Sequence, residues 1–463
     1  MRRLAHINTL MTCAALVCGV MAHAGPNSDY RPPVKEFEEY KPEPLPPGFS
    51  VQLTDVDGPV FADPRGLTLY TWPLETLRNG EAGEHPDQPT CDNTRYTENT
   101  GYMTPYPKGL VLPDLPIRAT CADVWRPVTA DAGAKPVGKF SVVTRKDGTK
   151  QWAYERYALY TSSLDTKAGQ VNGGTRRERR YDAPVLRRPI GPASNVPPAF
   201  DVKPHATGRL IVTGDSHSVY TWDGDEPNKS NCRAQCSDEW TAVIAGELVV
   251  AKGDWGIIER SPGVKQWTFR GKPLYTRVLD RRLRSLEGSD VQGWHNVYTQ
   301  KNPEPPAGFT VQSARIGQVL ADSAGRTLYV YNCGEDTVDQ LACDHPTTTQ
   351  AYRLAVCGNF DAERCNKTWP YVPAPENAVS GNLIWGTAWI DPKSGKLAEA
   401  KAAGAVHVWT FRDRPVYTFA QDTKPGDAYG DAWGEFWGNR NGFKAFWLRD
   451  DFTSAGRAGG NAD

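Results

Sequence analysis

An excess of charge of either sign is missing from this sequence. Its 463 residues carry 53 Lys and Arg against 54 Asp and Glu, a formal net charge of −1. Composition therefore gives no argument for nucleic acid or an anionic membrane as partner. Long apolar runs are missing too, and Leu10 to Met21 is too short to span a bilayer as a helix. There is no Cys-x-x-Cys-His for haem attachment and no paired Cys-x-x-Cys for a zinc ribbon. The sequence also has no Gly-x-Ser-x-Gly, His-Glu-x-x-His, Walker loop or Rossmann glycine run. Histidine is scarce beyond residue 24, where only His85, His205, His217, His295, His345 and His407 occur, none at an equivalent place in a repeat. No nucleophile with a base can be read, so the expectation is a protein without a catalytic constellation and without a cofactor.

What is present first is an export signal. Arg2 and Arg3 precede the apolar run, and Ala22-His23-Ala24 fits a small-x-small site, which predicts cleavage after Ala24. Cys18 follows Val17, a poor context for lipid attachment. Of ten cysteines, Cys13 and Cys18 fall in the signal, and the even number left in an exported chain favours disulfides. The expected location is periplasmic or extracellular, with no transmembrane segment in the mature chain. Residues 25–46, rich in Pro and Glu, read as an extended linker.

A repeat dominates the rest. The frame W-x-[YF]-x5-Y-T-x3-D occurs at Trp152–Asp165, Trp267–Asp280 and Trp409–Asp422 without an insertion. A second frame, Cys-x3-Trp-x2-Val, begins at Cys121, Cys236 and Cys365. The Trp residues of the two frames are 27, 27 and 40 positions apart. The longer spacing places an insertion around Lys393–Ala403, of helix-forming composition from Leu397. Before each Cys frame lies a turn and a strand with an aromatic pair: Tyr70 and Trp72, Tyr220 and Trp222, Tyr329 and Tyr331. With a period of two, each pair shares one face of its strand. Asp147-Gly148 predicts a type I′ hairpin.

These signals give an all-β fold of three tandem repeat domains, 47–192, 193–302 and 303–453, each of two short β-hairpin units, with a flexible tail at 454–463. The alternative is a single six-bladed, propeller-like ring. The arginine cluster from Arg176 to Arg188 reads as a solvated linker.

The frames resemble a secreted-repeat family of unknown function, described as predicted lipoproteins with a Yx(FWY)xxD motif. Tyr220–Asp225 and Tyr417–Asp422 match the motif at every position. Tyr160–Asp165 and Tyr275–Asp280 keep Tyr and Asp, while Tyr70-Thr-Trp72 ends in Glu75 and Tyr329-Val-Tyr331 is followed by Glu335. The resemblance implies an exported repeat protein and supplies no substrate or catalytic residue.

The recurring rings read as core and the terminal acids as turn caps; no clustered D-x-D-x-D-G loop supports calcium. Aligning the frames pairs Cys91 with Cys121 and Cys232 with Cys236. In the third domain either Cys343 or Cys357 partners Cys365, the other joining Cys333, and Cys343–Cys365 with Cys333–Cys357 is the preferred set. The functional expectation is an exported, non-enzymatic β-repeat protein with a binding or scaffolding role in the cell envelope, toward an envelope protein or ligand not identified by sequence. Two alternatives accompany it. One is a redox or copper-handling accessory built on Cys232, Cys236 and His217. The other is a glycan-binding module using exposed aromatics such as Trp222.

Overall fold

The strand Tyr70–Thr71 pairs with Tyr160–Ser162 so that Tyr70 stands directly opposite Tyr160. The same registration sets Tyr220 against Tyr275 and Tyr329 against Tyr417. The two tyrosine-bearing halves of each repeat are thus neighbours in one sheet. In this computed structural model, the described residues are 36–73, 83–95, 119–173, 188–233, 238–315, 317–332, 351–434 and 442–449, with isolated positions that include Cys236. The expected signal and tail, Cys333, Cys343 and the arginine cluster up to Arg187 lie outside them.

Every repeat builds its central sheet in one order. In the second repeat it is Trp240–Ala242, Tyr275–Arg277, Tyr220–Trp222 and Trp294–Asn296. In the first it is Trp125–Pro127, Tyr160–Ser162, Tyr70–Thr71 and Arg188–Pro189. The third runs Arg414–Tyr417, Tyr329–Asn332 and Gly442–Ala445, with Tyr371 bridging to Tyr417 where the first strand stands in the others. All ladders between named strands are antiparallel and stay inside one repeat, and no described sheet closes into a barrel. The frame Trp lies on a second small sheet in the first two repeats, on Lys150–Tyr154 and Val264–Phe269, each paired with the strand before it; in the third, Val406–Phe411 pairs with Trp385–Asp391 and is part of the same six-stranded sheet as Arg414–Tyr417. The last four residues of each strand that carries the frame Trp are buried without alternation, so both faces of the strand are covered there.

The aromatic frames fill those faces. Trp125, Trp240 and Trp369 pack with the paired tyrosines and the cysteines, whereas Trp152, Trp267 and Trp409 anchor the clusters on the hairpin side. Trp152, Trp267 and Trp409 are all buried, so the frame that marks the repeat is core. Rings meet mostly edge-on, as their quadrupoles favour; Tyr70–Trp125, Tyr220–Trp240 and Tyr329–Trp369 have nearly the same centroid distance, 5.2, 5.2 and 5.3 Å.

Four expectations change. Asp147-Gly148 does not form a type I′ turn: only Gly148 has positive φ, Arg145 N–H bonds the Thr149 carbonyl, and the Asp147 carboxylate accepts from Thr149 N–H at 3.0 Å. A three-residue loop with glycine in the left-handed position results, because Asp147 gains more from that cap than from entering positive φ. The insertion of the third repeat is not helical either. Its residues extend the hairpin, where Lys396–Leu397 pairs with Ile390 and Asp391, and turns complete it. The cysteine preference in the third repeat is corrected: Cys357 bonds Cys365. The helices Ala351–Gly358 and Ala362–Thr368 bring them together across a short connection, Cα atoms 4.8 Å apart, within bonding range. Cys91–Cys121 and Cys232–Cys236 form as expected. Finally, the described part of the Pro/Glu-rich lead-in is packed, not loose. Glu38 is buried against Arg209, Ser194 and Thr299, and Leu45 joins the first-repeat core.

The described residues from Phe37 onward belong to one compact unit. The turn after Ser50–Leu53 joins its repeats. Val56 enters the apolar cluster of the third repeat, the Thr54 carbonyl accepts from Gln300 of the second, and Asp55 accepts from Leu383 N–H. Asp57 pairs with Arg412 at 3.0 Å with both side chains buried. Gly58 has φ +74°, a backbone conformation that favours glycine, and its bare Cα leaves room for the Arg209 side chain.

Candidate functional site

The most regular polar feature is a set of reciprocal tyrosine–acid bonds. Tyr220 donates to Asp280 at 2.7 Å and Tyr275 donates to Asp225 at 2.8 Å, so each half's tyrosine bonds the acid that ends the other half. In the first repeat Tyr70 donates to Asp165 at 2.7 Å and Tyr160 to Glu84 at 2.5 Å. In the third, Tyr329 donates to Asp422 at 2.5 Å. The motif's terminal acid is therefore a cross-strand acceptor as well as a turn cap. Its second oxygen does the capping, taking backbone N–H from Asn172, Asn231 and Tyr429 for Asp165, Asp225 and Asp422. Glu75 was the acid expected after Tyr70 and lies outside the described residues; Glu84 holds the bond to Tyr160.

Burial governs the electrostatics. It pushes the Asp165 carboxyl up to about 7 against the lowering influence of Tyr70, Asn172 and Arg412. It likewise pushes Asp422 up to about 6 and raises Asp225. Tyr275 is driven up to about 12, and Tyr70, Tyr220 and Tyr329 also rise, again first through burial. A buried carboxyl near neutral pH can mark a general acid or base. Here each is consumed by a buried hydroxyl and a backbone N–H, and neither described cavity is lined by one. These pairs close the sheet.

Glycines that sequence reading passed over complete the pattern. Gly173, Gly288 and Gly430 each follow a frame Asp by eight positions. A Cβ would lie 2.7, 2.9 and 2.6 Å from Cη2 of Trp125, Trp240 and Trp369 respectively. Each indole edge thus rests on a bare backbone. The Asp-x7-Gly spacing was available in the sequence as a signal.

The sequence candidates lie as follows. Cys232 and Cys236 are joined, Cys232 buried in the core and Cys236 half-buried. His217 faces Asp215 at 3.6 Å on the turn before Val219. No group of three or more His, Cys, Asp or Glu able to hold a metal occurs among the described residues. Trp222 is half-buried and does not present a bare ring: Trp294 stacks on it at 5.7 Å, and a Cβ on Gly224 would come within 2.6 Å of three ring carbons.

A different place is open. An apolar cleft of about 230 Å³ lies where the three repeats meet. Ile384, Trp385, Phe411 and Phe446 of the third repeat line it with Val56 of the first, and Ala206, Thr207 and the connection at Asn302–Pro305 form a further part of the wall. The contributing segments are far apart in sequence, which is why no motif announces it.

Comparison with known proteins places the repeat. Residues 141–175, 202–244 and 402–441, one segment in each repeat, match a family model described as a secreted repeat of unknown function. Each segment contains one Tyr-to-Asp motif, at Tyr160, Tyr220 and Tyr417. No curated protein and no solved structure matches the chain.

Proposed function

We propose that this secreted-repeat chain is an exported, non-enzymatic binding scaffold of the cell envelope, and that its ligand site is the apolar cleft at the junction of the repeats. The cleft carries the reading. Recurrent polar residues that could do chemistry are engaged in internal pairs, whereas the cleft is walled by aromatic and aliphatic side chains, with Trp385, Phe411 and Phe446 packed on one another at its base. Its volume exceeds the ~150 Å³ of an apolar cavity able to take benzene. The matching ligand is a ring-sized apolar molecule with little polar surface, since such pockets draw affinity from apolar burial and fix orientation with few polar groups.

The test is a titration of the protein with indole and naphthalene, followed by NMR or by thermal shift. Saturable binding that is abolished by Ala206→Trp at the wall, with the melting temperature of the unliganded protein retained, is the expected result. Absence of saturable binding by the unsubstituted protein to either probe refutes the site.

A further inference from the structure

We propose, resting on the reading of the cleft as the ligand site, that its ligand is a small molecule with a branched aliphatic group. That group enters where each of the other two repeats inserts a side chain of its own. The repeats align around one turn. Phe49, Phe200 and Phe309 each donate the backbone N–H to the carbonyl of the proline three positions earlier, Pro46, Pro197 and Pro306, at 3.0, 2.9 and 3.2 Å. Each Phe ring then meets the same two rings of its repeat: Phe49 with Phe140 and Trp152, Phe200 with Trp255 and Trp267, Phe309 with Trp385 and Trp409. The residue just before that proline is Leu45 in the first repeat, Val196 in the second and Pro305 in the third.

Strand register identifies what surrounds this position. Phe61, Ile211 and Leu320 stand opposite Val51, Val202 and Val311. Tyr154, Phe269 and Phe411 stand opposite Phe140, Trp255 and Trp385. Ile190, Val297 and Phe446 carry the carbonyls that accept from Phe61, Ile211 and Leu320 N–H. In the first repeat Leu45 packs on the cluster of Phe61, Phe140, Tyr154 and Ile190, and in the second Val196 packs on that of Ile211, Trp255, Phe269 and Val297. In the third the counterparts Leu320, Trp385, Phe411 and Phe446 wall the cleft, and Pro305 lines it.

The two filled copies indicate the ligand. A proline ring is tied back to its own backbone nitrogen and does not reach outward as leucine and valine do. The same frame of apolar side chains closes on a leucine in one copy and on a valine in another, so its shape suits a branched aliphatic group better than a flat ring. At about 230 Å³ the cleft is roomier than the ~150 Å³ cavity that takes benzene, so the body of the molecule enters together with its branch. The connection at Asn302–Pro305 already runs along the wall, on the path that the segments bearing Leu45 and Val196 take in their own repeats. A free small molecule therefore fits, and a further peptide strand does not.

The experiment is a ligand-detected NMR titration of the full chain with isoamyl alcohol, benzyl alcohol and the capped peptide acetyl-Pro-Leu-Pro-Pro-amide. Isoamyl alcohol should bind saturably and at least about fourfold tighter than benzyl alcohol, the worth of one well-buried methylene. Pro305→Leu, which recreates the sequence context of Leu45, should weaken isoamyl alcohol by at least about fivefold and raise the thermal midpoint, whereas Pro305→Ala keeps the binding. Near-UV circular dichroism checks that each variant is folded, and the comparison of the two alcohols, which needs no variant, decides if Pro305→Leu is not. The ligand assignment is overturned, with the cleft still standing as a site, if benzyl alcohol binds as tightly or the peptide binds more tightly than isoamyl alcohol. It is overturned equally if Pro305→Leu binds undiminished or Pro305→Ala loses as much as Pro305→Leu. Failure of indole, naphthalene and both alcohols alike removes the reading of the cleft itself, and this assignment with it.

Discussion

Replacing Asp165 by asparagine changes how stability depends on pH. Asp165 is buried with its carboxyl at about 7, against ~3.9 in an unfolded chain. Between these values the folded state binds the proton that the unfolded state has released, so the stability this group contributes is fully present below about pH 4 and is lost as pH rises toward 7. A difference of that size corresponds to at most about 4 kcal/mol, at ~1.4 kcal/mol for each tenfold change in proton affinity. Asparagine keeps an acceptor for Asn172 N–H and removes the titration. The assay is urea unfolding followed by tryptophan fluorescence, disulfides intact, at intervals from pH 4 to pH 8. The stability of the natural protein relative to Asp165→Asn should fall with rising pH through that window and level off above it. A difference that is flat, or that grows with pH, would show that Tyr70, Asn172 and Arg412 outweigh burial and that Asp165 is an ordinary carboxylate.

Two further outcomes follow from packing and chain connectivity. Gly288→Ala puts a Cβ 2.4 Å from the Tyr220 ring and 2.9 Å from Trp240, and should cost about 1–3 kcal/mol. Gly246→Ala, whose nearest new contact is Val249 at 3.5 Å, should be nearly neutral in the same melt. Removing the Cys91–Cys121 bridge with a double serine substitution should cost about 3–4 kcal/mol, and removing Cys232–Cys236 about 2 kcal/mol, because their sequence separations are 30 and 4. Equal losses in denaturant unfolding would show that loop entropy is not what the middle bridge contributes.

Local pattern made the β-repeat architecture legible. Period-two aromatic strands, three frames of equal length and the Cys-x3-Trp spacing all report on neighbouring residues, and they led to buried Trp152, Trp267 and Trp409. The same signals said little about which strands pair. That Tyr220 faces Tyr275 depends on a chain reversal of 55 positions, and the bond from Tyr275 to Asp225 follows only once the sheet is formed. Glu84 shows the limit most clearly, since it stands off the motif's spacing and takes its role from where the loop returns to Tyr160. Cys357–Cys365 was misassigned because two short helices, not a strand, carry the partners. The cleft could not be read at all, because Val56, Asn302 and Trp385 come from three repeats and meet only after these have packed.

Three copies of one unit in a single chain provide an internal control for function. A residue that recurs with the same contacts, as Gly173, Gly288 and Gly430 do against Trp125, Trp240 and Trp369, answers to the demands of the fold in every copy. A residue that departs from its two counterparts while keeping their backbone answers to something else. Arg284 is such a case: it holds φ +59° where Gly169 and Gly426 meet the same conformation without a side chain. Restoring glycine there should stabilise the loop by up to about 1 kcal/mol, measured as a higher urea midpoint, while weakening any contact that the guanidinium makes. If Arg284→Gly instead destabilised the protein, the arginine would belong to the packing of the middle repeat.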